Sequence, residues 1–266
     1  MRTLSWAFLL VFLGPASAAA GQSVPATAVA AARAHYNAGR PAEALALLDP
    51  ILTRPGEPSG AALVAARALL ERFRTSGSVA DLDAARGHLK ALNPSALDAD
   101  ARRELIIGLA EALYLDDGFA AAAEMFETAL GDISSASRER VLDWWATALD
   151  RHAQLRPQAE RRLIYQRIAE RMEQETRAHP GSMPAAYWLA AGARGMGDLD
   201  RAWSAAVAAW VRAPLTSDRG AALRSDIDRL VQQALIPERV RALGLGDAAA
   251  AGMQAEWDAL KARWTR

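Results

Sequence analysis

Four histidines are the first residues to examine for chemistry, because imidazole serves proton transfer and metal binding near neutral pH. They are His35, His88, His152 and His179. No two of them lie three or four residues apart, so the sequence lacks a pair of metal ligands on one helical turn. His179 directly precedes Pro180, at a predicted helix end. The spacing therefore predicts no metal site.

The other residue types of catalysis also lack the spacing that catalysis needs. The chain has no cysteine, which excludes disulfides, thiol catalysis and cysteine-ligated zinc. It contains no nucleophile elbow, phosphate-binding loop or dinucleotide fingerprint. The glycine-rich run 192–197 is predicted to be a turn between helices, and Asp116 and Asp117 are predicted to cap a helix. We therefore expect no catalysis and no cofactor.

The composition indicates a helical protein. Hydrophobic residues make up 52% of the 266 residues, and much of that fraction is alanine and leucine, which are good helix formers. The formal net charge is zero, and arginines alternate with acidic residues, as in residues 137–140. Electrostatic binding of nucleic acid normally needs a basic excess or patch. We predict an all-α protein with no nucleic-acid partner.

The N-terminus has the three parts of a secretory signal peptide. Arg2 supplies a positive charge, residues 4–13 form an apolar stretch, and small residues occupy 16–20. The apolar stretch is too short to span a bilayer, which needs roughly 20 apolar residues. We expect a signal peptide over residues 1–20, removed near Ala18 or Ala20. The mature chain, without a transmembrane span, would be periplasmic or secreted; the alternative is a retained anchor helix.

A short phrase recurs along the mature chain: a turn, then a small residue, then a large or apolar residue four positions later. Its four clear copies are anchored by an alanine after the turn: Ala44, Ala84, Ala122 and Ala202. The anchors are separated by 40, 38 and 80 residues. The last gap holds two units, so a degenerate copy is predicted between them, with helices near residues 141–152 and 158–179.

These phrases resemble the second half of the tetratricopeptide repeat (TPR), which combines two small residues with an aromatic residue within about 34 positions. The third copy matches best, with Ala122, Phe126 and Ala129. The resemblance implies an all-α right-handed superhelix of stacked antiparallel helix hairpins, a TPR-like α-solenoid. It covers residues 26–214 as about five hairpins, the fourth degenerate. The spacing near 40, and His88 and Ala206 in place of the aromatic residue, depart from the pattern.

The pattern changes beyond Pro214. One helix is predicted from Gly220 to Leu235, ended by the Ile236–Pro237 pair and followed by a short helix to Leu243. We expect residues 215–245 to pack on the solenoid, and residues 246–266 to form a hinge and a C-terminal capping helix. That last helix has an apolar stripe at spacings of four, three and four: Met253, Trp257, Leu260 and Trp264. The stripe either caps the last repeat or docks into a partner's groove.

In the repeat family the first helix of each unit lines a concave groove. Carried over to the matched copies, this implies a partner-binding groove with these residues: Arg33, Tyr36, Asn37, Glu111, Tyr114, Tyr187 and Arg194. Trp145 joins them from the degenerate copy. Trp144 and Trp145 point about 100° apart on a helix. We expect both to be buried between neighbouring helices. The alternative is that one is buried and the other is partly exposed, and exposed tryptophan is enriched in binding hot spots.

These observations together lead us to expect an exported scaffold that binds a protein or peptide partner, of unknown identity, along this groove. Two alternatives stay open. A helical receptor for a small or lipidic ligand predicts a closed apolar cavity between helices. An enzyme on an all-helical scaffold predicts a convergent polar cluster with perturbed ionisation.

Overall fold

The computed structural model describes residues 24–53, 59–131, 133 and 135–265, so the predicted signal peptide lies outside the described residues. Regular secondary structure in the described part is helical, without a β-strand, which confirms the all-α class. The α-helices run as follows: α1 Val24–Asn37, α2 Pro41–Leu52, α3 Ser59–Ser76, α4 Val79–Ala91, α5 Ala99–Tyr114, α6 Phe119–Ala129, α7 Ser135–Gln154, α8 Gln158–Ala178, α9 Met183–Gly195, α10 Leu199–Arg212, α11 Ala221–Leu230, α12 Ile236–Ala242 and α13 Asp247–Trp264.

The helices are packed in a regular order. From α1 to α11 each helix packs against the next one along the chain. Several odd-numbered helices also contact each other directly: α1 with α3, α3 with α5, α7 with α9, and α9 with α11. Four apolar clusters follow one another from the α1–α3 end to the α9–α13 end. Each helix therefore buries its apolar face against its neighbours, because none could do so alone.

Three of the turns between paired helices share one backbone geometry. A residue with positive φ ends the first helix: Gly39 at 72°, Asp117 at 58° and Gly197 at 82°. The N–H of the following residue donates to the carbonyl five residues earlier, at 2.8 to 3.0 Å. Such bonds satisfy the open carbonyls of a helix end, and glycine adopts the left-handed conformation most easily. The repeated sequence phrase thus folds into a repeated turn.

These turns also correct the register of the second copy. Gly77, with a φ of 69°, takes the turn position there. Its helix α4 therefore places Leu82 where the other copies place their anchor alanines, and buries it. Ala84, the predicted anchor, is exposed on the opposite side. The prediction was wrong by two residues, and the residue four positions after the anchor is Arg86, not His88.

The long pair α7 and α8 occupies the region predicted for the degenerate copy. The predicted helix 141–152 lies within α7, and the predicted helix 158–179 matches α8 to within one residue. No left-handed residue ends α7. The position equivalent to the anchor alanine is the exposed Arg161, and Tyr165, Ile168 and Met172 are buried instead. The second helix therefore packs through a different face.

Pro237 does not end the helix before it, so this part of the prediction was wrong. The backbone passes from α11 through a π-helical turn, Val231–Leu235, directly into α12. Leu235 and Ile236 both keep right-handed helical angles. Proline lacks an N–H and is tolerated in the first turn of a helix. The wider turn before it lets the chain continue without a break.

The C-terminal helix α13 packs on α10 and α12. The Trp257 side chain is fully buried, with ring centroids 5.9 Å from Trp203 and 5.4 Å from Trp210. Its indole N–H donates to Asp228 at 2.8 Å. Trp264, the last residue of the predicted stripe, is 54% exposed. The stripe therefore serves as a cap over most of its length and leaves one tryptophan at the surface.

Candidate functional site

A groove of about 490 Å³ lies where α1, α3, α5 and α7 converge. These are the first helices of four successive pairs, and each contributes side chains to the lining. The lining mixes arginines, carboxylates, aromatic rings and aliphatic side chains. It consists of Arg33, Tyr36, Asn37, Val64, Arg67, Asp100, Arg103, Glu104, Ile107, Ile133, Ser137, Arg140, Val141 and Trp144. The volume falls within the range of ligand-binding clefts.

Arg67 of α3 lies at the centre of this groove. Its guanidinium carbon is 5.7 Å from the ring centroid of Tyr36 on α1 and 5.7 Å from that of Trp144 on α7. One of its terminal nitrogens donates to Glu111 on α5 at 2.9 Å. A cation over an aromatic face is attracted by the ring quadrupole. One side chain therefore links all four helices of the groove.

This central pair is buried. The Glu111 side chain is 2% exposed and that of Arg67 is 11% exposed. Burial raises the pKa of the Glu111 carboxyl above its ordinary value, and the Arg67 guanidinium opposes that rise. Arg67 Nε is buried and has no hydrogen-bond partner among the described residues. The guanidinium therefore keeps one unused donor next to the groove.

The rim of the groove carries exposed and paired charges. Arg33 on α1 pairs with Glu104 on α5. Arg103 pairs with Asp100 one helical turn earlier, at 2.8 Å, and Arg140 on α7 is exposed. The lining as a whole has four arginines and two carboxylates, an excess of two positive charges. The groove is thus weakly cationic although the chain has no net charge.

A smaller cavity of about 260 Å³ shares the lining residue Trp144 with the groove and is called here the groove extension. The Arg74 guanidinium carbon lies 5.3 Å from the Trp144 ring centroid. Asp143 borders the same cavity and accepts a hydrogen bond from the Trp188 indole N–H at 2.7 Å. Desolvation raises the pKa of the Asp143 carboxyl, which this hydrogen bond opposes. Trp144 thus belongs to the lining of both cavities.

Three of the predicted groove residues line the groove, and a fourth lines its extension. Arg33, Tyr36 and Asn37 follow one face of α1, and Tyr114 borders the extension. Glu111 lies behind the groove and reaches it only through Arg67. Its predicted role as a residue that touches a partner is therefore wrong. It is a buried counter-ion that holds Arg67 in place.

Trp145 was assigned to the groove wrongly. Its side chain is fully buried in the core of α5 to α9, whereas Trp144 is half-buried and lines both cavities. Val141, Leu142 and Leu149 fix the phase of α7, because they occupy the same buried face as Trp145. The expectation that both tryptophans are buried is therefore wrong, and the alternative holds: Trp145 is buried and Trp144 is partly exposed.

Tyr187 and Arg194 of α9 line neither the groove nor its extension. The Tyr187 ring packs edge-on against Trp188, with centroids 5.4 Å apart. Arg194 forms a bidentate ion pair with Glu238 of α12, with N–O distances from 2.6 to 3.1 Å. Trp188 belongs to α9 itself, so of these two contacts only the Arg194–Glu238 pair links α9 to another helix. Neither residue lines the groove described here, and their part in binding a partner stays a prediction.

Arg67 and the rim residues Arg103 and Arg140 were not predicted from the sequence, and Trp145 was predicted in place of Trp144. A signal for Arg67 was present in the run 61–70, where it is the one charged residue among alanines, leucines and a valine. A single charge within an otherwise apolar helix face indicates a buried ion pair, since an unpaired buried charge is costly. The rim residues carry no comparable signal, because solvated helix faces show the same mixture of charges.

Comparisons with known proteins give no relative for this chain. No protein-family model matches it, and no curated protein or solved structure matches it significantly. The structure itself adds two findings. None of the described helices is both long and apolar enough to cross a membrane. The described residues contain no cluster of three or more histidine and carboxylate side chains that could hold a metal ion.

Proposed function

We propose that this chain is a TPR-like scaffold that binds a protein segment in the groove between α1, α3, α5 and α7. The helix pairs would form a right-handed superhelix, with the first helix of each pair on its concave side. The observation that carries the proposal is that the first helices of four successive pairs all contribute side chains to one groove. Such surfaces are what stacked helical repeats offer to partners.

The side chains of the groove support a protein partner. Arginine, tryptophan and tyrosine are the residue types most enriched in binding hot spots, and Arg67, Tyr36 and Trp144 form its centre. The central side chains are held by each other and by Glu111, so little side-chain entropy is lost when a partner binds. Asn37 and Arg140 at the rim add amide and charged groups for polar contacts.

Export belongs to the same proposal. We infer that residues 1–20 direct the chain out of the cytoplasm and are removed near Ala18 or Ala20. The support is the order of a positive charge, a short apolar stretch and small residues. N-terminal sequencing of the chain from periplasmic and secreted fractions tests it. A chain recovered only with Met1 in the cytoplasm would contradict it.

The binding proposal is tested by blocking the groove. Asn37 is exposed and lines the groove, so Asn37→Trp puts a bulky ring across it. Arg162→Trp on α8 is the matched control, because Arg162 is exposed and lines neither cavity. Affinity-tagged wild type and both variants are used to isolate partners from the source cells, with quantification by mass spectrometry. A protein that is lost only with Asn37→Trp supports the proposal, and equal recovery with all three contradicts it.

A further inference from the structure

We propose that the segment bound in the groove is acidic, with glutamate or aspartate side chains placed beside large apolar ones. The inference rests on the proposed function and specifies its partner chemistry. Three features of the groove carry it: the excess of arginine in the lining, the state of Arg67, and the aliphatic and aromatic surface between the cations.

The charges of the lining favour an anionic partner. Four arginines face two carboxylates in the lining, and Glu111 behind it balances Arg67, so the excess is one positive charge. The Asp100 side chain is 88% exposed and pairs with Arg103 across one helical turn, and such solvated pairs are weak. Arg140 is exposed and adds a further cation. Complementary charge across an interface steers association and excludes partners of the wrong sign, so a basic segment is disfavoured here.

Arg67 supplies the strongest attraction for a carboxylate. Its position is fixed before binding by Tyr36, Trp144 and Glu111. Glu111 engages one terminal nitrogen, and Nε is left without a partner among the described residues. Hydrogen bonds to a charged group are strong in a site of low dielectric constant. Because Nε is buried, a carboxylate that enters between Tyr36 and Trp144 has to displace the side chains that cover it before it can accept from this donor.

The apolar part of the lining distinguishes an acidic protein segment from a nucleic acid. The half-buried side chains of Ile133 and Trp144 lie among the arginines, and the buried side chains of Val64, Ile107 and Val141 complete the apolar part of the lining. A chain of phosphates has no aliphatic group to place against them, whereas a peptide can alternate carboxylates with leucine-like side chains. The bound segment therefore combines negative charge with apolar bulk.

Selection from a library of random twelve-residue peptides tests this partner chemistry directly. The library is selected in parallel on the purified full chain, on Arg140→Glu and on Arg162→Glu. The two variants make the same change of charge, inside and outside the groove. The best peptide is then measured by fluorescence anisotropy, beside an analogue with glutamine for every glutamate and beside a single-stranded DNA of ten nucleotides.

We expect the selected peptides to be acidic, and the best of them to bind Arg140→Glu about tenfold more weakly and Arg162→Glu unchanged. The glutamine analogue should also lose about tenfold or more. If the selected peptides are neutral or basic and their binding is lost in Asn37→Trp, the inference is overturned and the proposed function stands. DNA that binds more tightly than the best peptide would also overturn the inference. If no peptide is enriched, and partner recovery is the same with Asn37→Trp as with the wild type, both the inference and the proposed function are overturned.

Discussion

Replacing Arg67 by methionine tests the physical account of the groove, because it removes the cation of a buried pair and keeps most of the apolar volume. The Glu111 carboxyl, 2% exposed, must then either stay charged without a partner or take up a proton. Protonation of a carboxyl at pH 7 costs about 4 kcal/mol, from an ordinary pKa near 4.3 and about 1.4 kcal/mol per pH unit. This agrees with the roughly 3–5 kcal/mol lost when one partner of a buried pair is removed.

The pH dependence of that loss separates the buried charge from lost packing. In the variant, we expect the folded-state pKa of Glu111 to lie far above its unfolded-state pKa. At pH values between these two, the folded chain binds one more proton than the unfolded chain. Stability must then fall as pH rises through this window. We expect the free energy of unfolding lost by Arg67→Met to be about 4 kcal/mol at pH 7 and about 1 kcal/mol at pH 5. Urea unfolding followed by circular dichroism at pH 5, 6 and 7 measures it.

The double variant Arg67→Met, Glu111→Leu is the control. Replacing both members of a buried pair by apolar side chains is often neutral or stabilising, so most of the lost stability should return at pH 7. The same loss at pH 5 and pH 7 would refute the account. It would show that Arg67 stabilises the fold through its stacking on Tyr36 and Trp144 and not through Glu111.

Three further predictions concern the rest of the fold. Trp257→Ala should lower the free energy of unfolding by about 3–5 kcal/mol because it empties a fully buried site; a loss below about 1 kcal/mol in urea unfolding would contradict the packed cap. Arg138 lowers the pKa of the Glu175 carboxyl. This ion pair therefore stabilises the fold at pH values above the unfolded-state pKa of Glu175, and the stabilisation is lost as pH falls through the lower folded-state pKa. Glu175→Gln should therefore be destabilising at pH 7 and approach the wild type in acid; an unchanged difference on acid titration would contradict this. Gly195→Ala should cost about 1–3 kcal/mol because the new Cβ overlaps the Tyr165 ring; an unchanged melting temperature would refute that contact.

The helices were predictable from the sequence where local signals agree. The turns at Gly39 and Gly197 combine a residue suited to positive φ with a following helix start, and both were found from the sequence alone. The register of the second copy was not, because Ala84 fits the small-residue pattern, whereas the turn at Gly77 places Leu82 at the anchor position. A pattern of alanines alone therefore does not fix the phase of a helix.

The groove was only partly predictable. The α1 face was found through the repeat resemblance, which carries a position from one unit to the next. Arg67 and Trp144 depend on how α3 and α7 approach each other across the groove, and no local pattern encodes that distance. Arg194 could not be assigned because its partner Glu238 is 44 residues away and becomes its neighbour only through the continuous passage from α11 into α12.

The most direct test of the central claim uses the absence of cysteine from the chain. Single cysteines at Asn37, inside the groove, and at Arg162, outside it, are labelled with the same photo-crosslinker and illuminated in extracts of the source cells. Mass spectrometry then identifies the linked peptides. The account predicts that Asn37 links to one acidic segment of one partner, that Arg162 does not, and that Arg140→Glu lowers the yield from Asn37. The same partner linked with equal yield from both positions would contradict it.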